Sequence, residues 1–159
     1  MPVMEMLSAG ILPEGKAAEL PTTYCNASAR GLAYMGAFMA NKGSFDGKVF
    51  LSEEVWTEYM KDPEVEPDVP QLQGARTAFT QGGACFFDLD FYKQFPRPAW
   101  TNWVYADEIE WKMAKDRLGF YGWFGLGGAT FQWHPELKIS FAYVPTDLIW
   151  LDTVNCRAA

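Results

Sequence analysis

The side chains that could act as a nucleophile in this sequence are five serines, at positions 8, 28, 44, 52 and 140. A serine of the Ser-x-x-Lys type needs a lysine three residues further on, because the amine must lie beside the hydroxyl to take up its proton. The residues three positions after these serines are Ile, Gly, Gly, Val and Tyr. The sequence therefore contains no such pair, and we assign no catalytic residue.

The single histidine and the nearby acids are the next candidates. His134 has Glu136 two residues further on and could serve a hydrolytic triad or a metal. Both functions need convergent partners that the sequence does not identify, and a histidine before a proline at a predicted turn is typical of a surface turn. Asp88 and Asp90 could hold a cation, but two acids at the end of a predicted strand are more often solvated. We predict no metal site and no cofactor.

The glycine-rich run from Gly122 to Gly128 could be taken for a phosphate-binding loop. A dinucleotide fingerprint that starts at Gly125 requires glycine at position 130, where the sequence has Thr130, and no Gly-Lys-Ser/Thr follows. The run does not favour a nucleotide site.

The amino-acid composition argues against several classes of binding partner. The 159 residues have a net charge of −7 and no run of Lys or Arg, which argues against a nucleic-acid groove or an anionic membrane surface. Three widely spaced cysteines fit neither a disulfide framework nor a metal knuckle, and no segment is apolar enough for a signal peptide or a membrane span. We expect a soluble protein, cytoplasmic by default.

The sequence has seven tryptophans, and five of them, at 100, 103, 111, 123 and 133, could form the wall of a ligand site. We assign most of these five to the core, with Trp123 the best exception.

The pattern along the chain predicts an α+β fold in one domain, residues 1–159. Helical spacing predicts helices over Asn26–Asn41, Ser52–Lys61 and Asp147–Arg157. β-compatible stretches predict an antiparallel sheet of three or more strands, which are Arg76–Phe87, with a bulge or close approach at Gly82-Gly83, Phe120–Trp133 and Leu137–Val144.

Three further segments have weaker patterns. Residues 1–25 form an irregular lead-in, and residues 63–74, with three prolines and three acids, are expected to be an exposed loop. Residues 88–118 form an insertion whose second half is a helix, because Glu108 and Lys112 stand at i,i+4 spacing.

Three segments in this order, residues 27–43, 47–54 and 122–145, resemble the C-terminal part of the serine β-lactamase-like hydrolases. That group includes class C β-lactamases, penicillin-binding carboxypeptidases, family VIII esterases and the LACTB-type proteins. The best match is Trp123-Phe124-Gly125, where the family has a Lys-Thr-Gly, His-x-Gly or Trp-Gly-Gly triplet.

The resemblance implies a partial β-lactamase/transpeptidase-like fold and a role for this triplet. Trp123, Phe124, Gly125 and Leu126 would form the oxyanion and substrate strand, with the Leu126 amide as one of two oxyanion donors. A tryptophan at the first position cannot contact a substrate carboxylate as Lys or His would, so the resemblance favours a small ester, or an amide, as substrate.

The family's nucleophile lies upstream of the residues that match. Tyr24-Cys25-Asn26 spells the family's Tyr-x-Asn but stands directly before the first predicted helix, where we expect it to serve helix entry. We therefore expect a hydrolase-like fragment that is inactive alone and needs an upstream segment or a companion chain. The alternative is a non-catalytic protein-binding or assembly module on the same fold. An open sheet edge and an uncovered apolar face would favour a homo-oligomer in either case.

Overall fold

The computed structural model describes residues 26–61, 64–68, 75–95, 103–125 and 128–146. The predicted lead-in over 1–25 and the predicted closing helix Asp147–Arg157 lie outside these ranges. The elements in chain order are α1 (Ala29–Ala40), β1 (Ser44–Phe45), β2 (Lys48–Val49), α2 (Glu53–Tyr59), β3 (Glu64–Asp68), β4 (Ala75–Phe79), β5 (Cys85–Phe86), α3 (Leu89–Tyr92), α4 (Trp103–Ala114), β6 (Tyr121–Phe124), β7 (Thr130–His134) and β8 (Ile139–Tyr143).

The predicted α+β class is confirmed. Strands β3 to β8 form a six-stranded sheet in which every neighbouring pair is antiparallel and the spatial order follows the chain. Strands β1 and β2 form a separate hairpin. Its turn holds Asp46 and Gly47 at φ of 53° and 70°, the left-handed conformations that a tight hairpin turn requires.

Two predicted strands and one predicted loop need correction. The prediction of one strand over Arg76–Phe87 is wrong, because the Gly83 amide donates to the Thr80 carbonyl at 2.8 Å and the chain reverses there between β4 and β5. Gly82-Gly83 is thus the turn of a hairpin. The predicted strand Phe120–Trp133 is likewise two strands, β6 and β7. The expected loop over 63–74 contains β3, which pairs along its whole length with β4.

Two predicted helices begin at serine caps. The Ser28 hydroxyl accepts a hydrogen bond from the Gly31 amide at 3.1 Å at the start of α1, so Ser28, and not Asn26, caps this helix. The Ser52 hydroxyl does the same for the Val55 amide at 3.3 Å at the start of α2. Each hydroxyl satisfies one of the amides that a helix leaves without an internal partner.

Helices α1 and α4 cover opposite faces of the sheet. Alternate residues of a strand point to opposite faces. Trp133 packs in one cluster with Ala40 of α1, whereas Phe124 and Cys85 pack in another with Met113 of α4. Trp133 pairs with Tyr121 and shares its face of the sheet. Phe124 comes three residues after Tyr121 on the same strand, so it lies on the opposite face, and the two clusters are on different sides of the sheet.

A buried ion pair fastens α4 to β4. The Arg76 guanidinium donates to both carboxylate oxygens of Glu110, from Nε at 3.0 Å and from Nη2 at 2.8 Å, and the Arg76 amide donates to the same group at 2.6 Å. Nη1 donates to the carbonyls of Tyr92 (2.6 Å) and Phe95 (2.9 Å). The Arg76 and Glu110 side chains are 10% and 3% exposed, so both charges depend on these partners. The segment predicted as an insertion thus supplies a core helix.

We predict that Glu110→Gln lowers the free energy of unfolding by about 3–5 kcal/mol, because it leaves the Arg76 charge buried without a counter-ion. Urea unfolding followed by circular dichroism measures this. The matched control is Glu108→Gln on the same helix, whose carboxylate is exposed and pairs with Lys112 at 2.7 Å. It should cost less than about 0.5 kcal/mol, and equal losses for the two variants would contradict the assignment.

Candidate functional site

Strand β6 carries the predicted site residues and has one edge that is only partly paired. On its β7 side it is paired from Tyr121 to Phe124. On its β5 side the described pairing consists of Phe86 with Tyr121 alone. No pair beyond Tyr121 is described on the β5 side, so from Trp123 onward this edge of β6 has no strand partner among the described residues.

Gly122 is required at the start of this strand. Its φ is +131°, and a Cβ there would lie 2.0 Å from the Phe131 carbonyl oxygen of β7. Any side chain would have to push the two strands apart, because that distance is far below van der Waals contact. The glycine at this position therefore serves the close approach of β6 and β7 rather than a ligand.

Trp123 lies half-buried beside the unpaired part of the edge. Its ring packs on that of Phe79, with centroids 5.3 Å apart and planes tilted by 44°. Because β5 and β6 are antiparallel, the residues before Phe86, including the Gly82-Gly83 turn, lie on the side of the residues after Tyr121. Trp123 thus forms an aromatic platform next to a backbone edge and a glycine turn.

The Phe124 side chain is part of the core. It is 4% exposed, its ring meets that of Phe87 at 5.5 Å, and the Arg117 guanidinium lies 4.9 Å from its ring centroid. Only its backbone can face a ligand. The amide of Gly125 donates to the Ala129 carbonyl of the hairpin at 2.7 Å, so it is not available to an oxyanion. Leu126, the predicted donor, lies outside the described residues.

Every described serine hydroxyl has a local partner. Besides the two helix caps, Ser140 donates to the Ala33 carbonyl at 2.7 Å and joins β8 to α1. Ser44 donates to the Asn41 carbonyl at 3.5 Å. None is bonded to a histidine, lysine or tyrosine side chain that would raise its nucleophilicity.

His134 is a turn residue. Its Nδ1 accepts from the Leu137 amide at 3.2 Å, and its ring packs edge-on against Phe120 at 5.0 Å. A neutral ring that accepts at Nδ1 carries its proton on Nε2. That tautomer suits the hairpin between β7 and β8, so the geometry favours the turn interpretation over a triad or metal role.

The two aspartates serve helix α3. Asp88 Oδ1 accepts from the amides of Asp90 (2.9 Å) and Phe91 (3.0 Å), and Asp90 pairs with Lys93 at 3.0 Å. Among the described residues no group of three or more His, Cys, Asp or Glu side chains is placed to hold a metal ion. Tyr24 and Cys25 of the Tyr-x-Asn sequence lie outside the described ranges.

The prediction that most of the five tryptophans lie in the core is only partly confirmed. Trp133 is a core residue at 4% exposure, but Trp111 on α4 is half exposed. Among the tryptophans whose side chains the structure describes, Trp123 has both a packed face and a position beside the partly paired edge of β6. The side chain of Trp103 and the whole of Trp100 are outside the described part of the chain.

Two surface cavities lie away from β6. One, of about 290 Å³, is between the β1–β2 hairpin and the start of α2, and the other, also about 290 Å³, is between the end of α1 and the β7–β8 turn. Both are lined in part by Asn41 and Lys42. Neither cavity is lined by a residue of β6.

Comparison with known proteins adds no assignment. No protein-family model, curated protein or solved structure matches the chain. Within the described residues, no helix is long and apolar enough to cross a membrane.

Tyr121, next to the platform, gives a pH-dependent prediction. Burial, and then the nearby Glu136 carboxylate, raise the pKa of the Tyr121 hydroxyl above its ordinary value of 10.0. Glu136→Gln should lower this pKa, which should still stay above 10.0 because burial is the larger cause. Carbon NMR of the tyrosine rings measures it, and an unchanged pKa in the variant would contradict the proximity.

The same pKa shift predicts the direction of a stability change. A hydroxyl that ionises at higher pH in the folded state than in the unfolded state contributes stability below pH 10 and loses it as the pH rises through the folded pKa. The Tyr121→Phe variant should therefore lose less unfolding free energy than the wild type between neutral pH and pH about 11.

Proposed function

We propose that this chain supplies the oxyanion strand and a substrate wall of a β-lactamase-related, esterase-like serine hydrolase, and that its 159 residues are inactive without a Ser-x-x-Lys nucleophile from another segment. The observation that supports the proposal is the edge of β6 beside Trp123, which has no strand partner on its β5 side among the described residues. The ordered motifs over residues 27–43, 47–54 and 122–145 point to the same family.

The backbone direction of β6 suits this role. The Gly125 amide points to β7, and successive amides of a strand point to opposite edges. The Phe124 amide therefore points to the β5 side, where the edge is open. A strand amide held in place by the sheet stabilises a developing oxyanion without reorganising during the reaction.

The side chains beside this edge favour an uncharged substrate. Trp123 and Phe79 present aromatic surface, and the Arg117 guanidinium lies over the buried Phe124 ring. A substrate carboxylate would find no cation in these contacts. A small ester fits this surface better than an acid-bearing lactam.

The test compares two proteins with p-nitrophenyl butyrate as substrate. The 159-residue chain should leave hydrolysis at the buffer rate and should not be labelled by a fluorophosphonate. A protein extended by the coding sequence upstream of Met1, through an in-frame Ser-x-x-Lys, should hydrolyse the ester. A reading frame without that motif, no rate gain from the extension, or labelling of the short chain would each overturn the proposal.

Within the extended protein, Trp123→Ala should lower kcat/KM about tenfold, which corresponds to about 1.4 kcal/mol of transition-state binding. The control is Trp111→Ala, which removes a half-exposed tryptophan from α4. This control should keep the wild-type rate. Equal effects of the two variants would place the substrate elsewhere.

A second candidate function, a non-catalytic assembly module, is favoured by a different observation. Ile139 and Phe141 of β8 are 46% and 42% exposed, and Leu137 and Val144 at its ends are also exposed. Four exposed apolar side chains on and next to one outer strand are more typical of a binding surface than scattered ones.

A further inference from the structure

The two outermost strands of the described sheet differ sharply in sequence. β3, at one edge, reads Glu-Val-Glu-Pro-Asp, with three acids and a proline in five residues. β8, at the other edge, reads Ile-Ser-Phe-Ala-Tyr, with no charge, no proline and no glycine. Charges and proline are the devices by which proteins prevent an edge strand from pairing with another chain. The β3 edge is protected in this way and the β8 edge is not.

The outward backbone groups of β8 can be assigned from the hydrogen-bond alternation. Gly125 bonds to Ala129, so the odd-numbered residues of β7 bond towards β6 and the even-numbered ones towards β8. Their partners on β8 are Ile139, Phe141 and Tyr143. The N–H and C=O groups of Ser140 and Ala142 therefore point away from the sheet and are positioned to pair with a further strand.

We propose that this edge binds a second copy of the chain, with β8 of one molecule antiparallel to β8 of the other about a two-fold axis at Phe141. Ser140 and Ala142 would then exchange hydrogen bonds with Ala142 and Ser140 of the second copy. Phe141 faces its own counterpart in a non-hydrogen-bonded pair, in which the Cα atoms are about 4.5 Å apart. Two six-stranded sheets become one continuous sheet of twelve strands.

The side chains of β8 are self-complementary in this register. Ile139 lies opposite Tyr143 of the second copy, and together with the Phe141 pair they make a continuous apolar row on the α4 face. Aromatic and β-branched cross-strand pairs of this kind stabilise antiparallel sheets. The half-exposed Ile139 and Phe141 side chains would be covered by it.

The charged residues near β8 and the side chains on the α1 face of the sheet also permit this pairing. Lys138 lies opposite Val144 and Glu136 opposite Thr146 of the second copy, so no like charges meet. On the α1 face the paired residues are Ser140 and Ala142, whose small side chains leave room for the two α1 helices. An isologous interface needs this kind of self-complementarity, because each residue pair occurs twice.

The inference rests on the second candidate function and gives it a partner, a second copy of this chain. It does not depend on the oxyanion strand, since β8 and the open edge of β6 are separated by β7. Loss of the dimer and loss of esterase activity in the extended protein are therefore separate outcomes.

Size-exclusion chromatography with light scattering tests the oligomeric state of the 159-residue chain. The wild type should elute at twice the monomer mass of 18.0 kDa. Phe141→Lys should return it to the monomer, because two ammonium groups would oppose each other at the axis. The control Val49→Lys adds the same charge at a 75% exposed valine on the β1–β2 hairpin and should remain dimeric.

Disulfide trapping tests the register without loss of apolar packing elsewhere. In a background with Cys25 and Cys156 changed to Ser, Phe141→Cys should form an intermolecular disulfide on mild oxidation, because the paired Cα atoms fall in the range a disulfide spans. Leu137→Cys should not, although Leu137 is more exposed than Phe141 (60% against 42%), because it lies opposite Pro145 of the second copy.

Each contrary result overturns the proposal. One such result is a wild type that stays monomeric at about 100 µM, a concentration well above the Kd of a stable dimer. Another is the formation of open-ended polymers. A third is a dimer that persists in the Phe141→Lys variant while its circular dichroism is unchanged. Cross-linking of Leu137→Cys in preference to Phe141→Cys would place the contact elsewhere.

Discussion

Arg76 and Glu110 form the interaction on which the rest of the described structure depends. The carboxylate receives three hydrogen bonds from Arg76, and the remaining guanidinium nitrogen holds the carbonyls of Tyr92 and Phe95. One ion pair therefore joins a strand, a short helix and a long helix. A buried charge is tolerated only when its hydrogen-bonding capacity is filled, so these three segments are held in one arrangement, and the core beneath α4 closes around Met113 and Phe87.

The strands of the sheet differ in how far they pair. Whereas β3 pairs with β4 over five residues, the short β5 pairs with β6 through Phe86 and Tyr121 alone among the described residues. In the described part of the chain, no strand pairs with the β5 side of β6 from Trp123 onward, and the Trp123 ring packs on Phe79. The proposed oxyanion strand, β6, and the proposed dimer edge, β8, belong to the same sheet but are separated by β7. A change at one of these strands can therefore leave the other intact.

Within the described ranges, the chemistry that the chain offers comes from its backbone rather than from its side chains. The described serines cap helices or bond to carbonyls, His134 closes a turn, and Asp88 begins α3. The remaining candidate is the edge of β6, whose backbone amides are fixed in direction by the pairing with β7. Fixed dipoles stabilise charge that develops in a reaction, but they do not start one. This is the physical basis for proposing a supporting role completed by a nucleophile from another segment.

The sequence by itself determined the local features. Ser52 and the helical spacing after Ser28 located α2 and α1, and the spacing of Glu108 and Lys112 indicated α4, because caps and i,i+4 pairs act within a few residues. Only the tertiary structure decided that α4 belongs to the core, since the contact between Arg76 and Glu110 spans 34 residues. It also decided that an acidic, proline-containing segment forms β3, because pairing with β4 outweighs the low strand propensity of those residues.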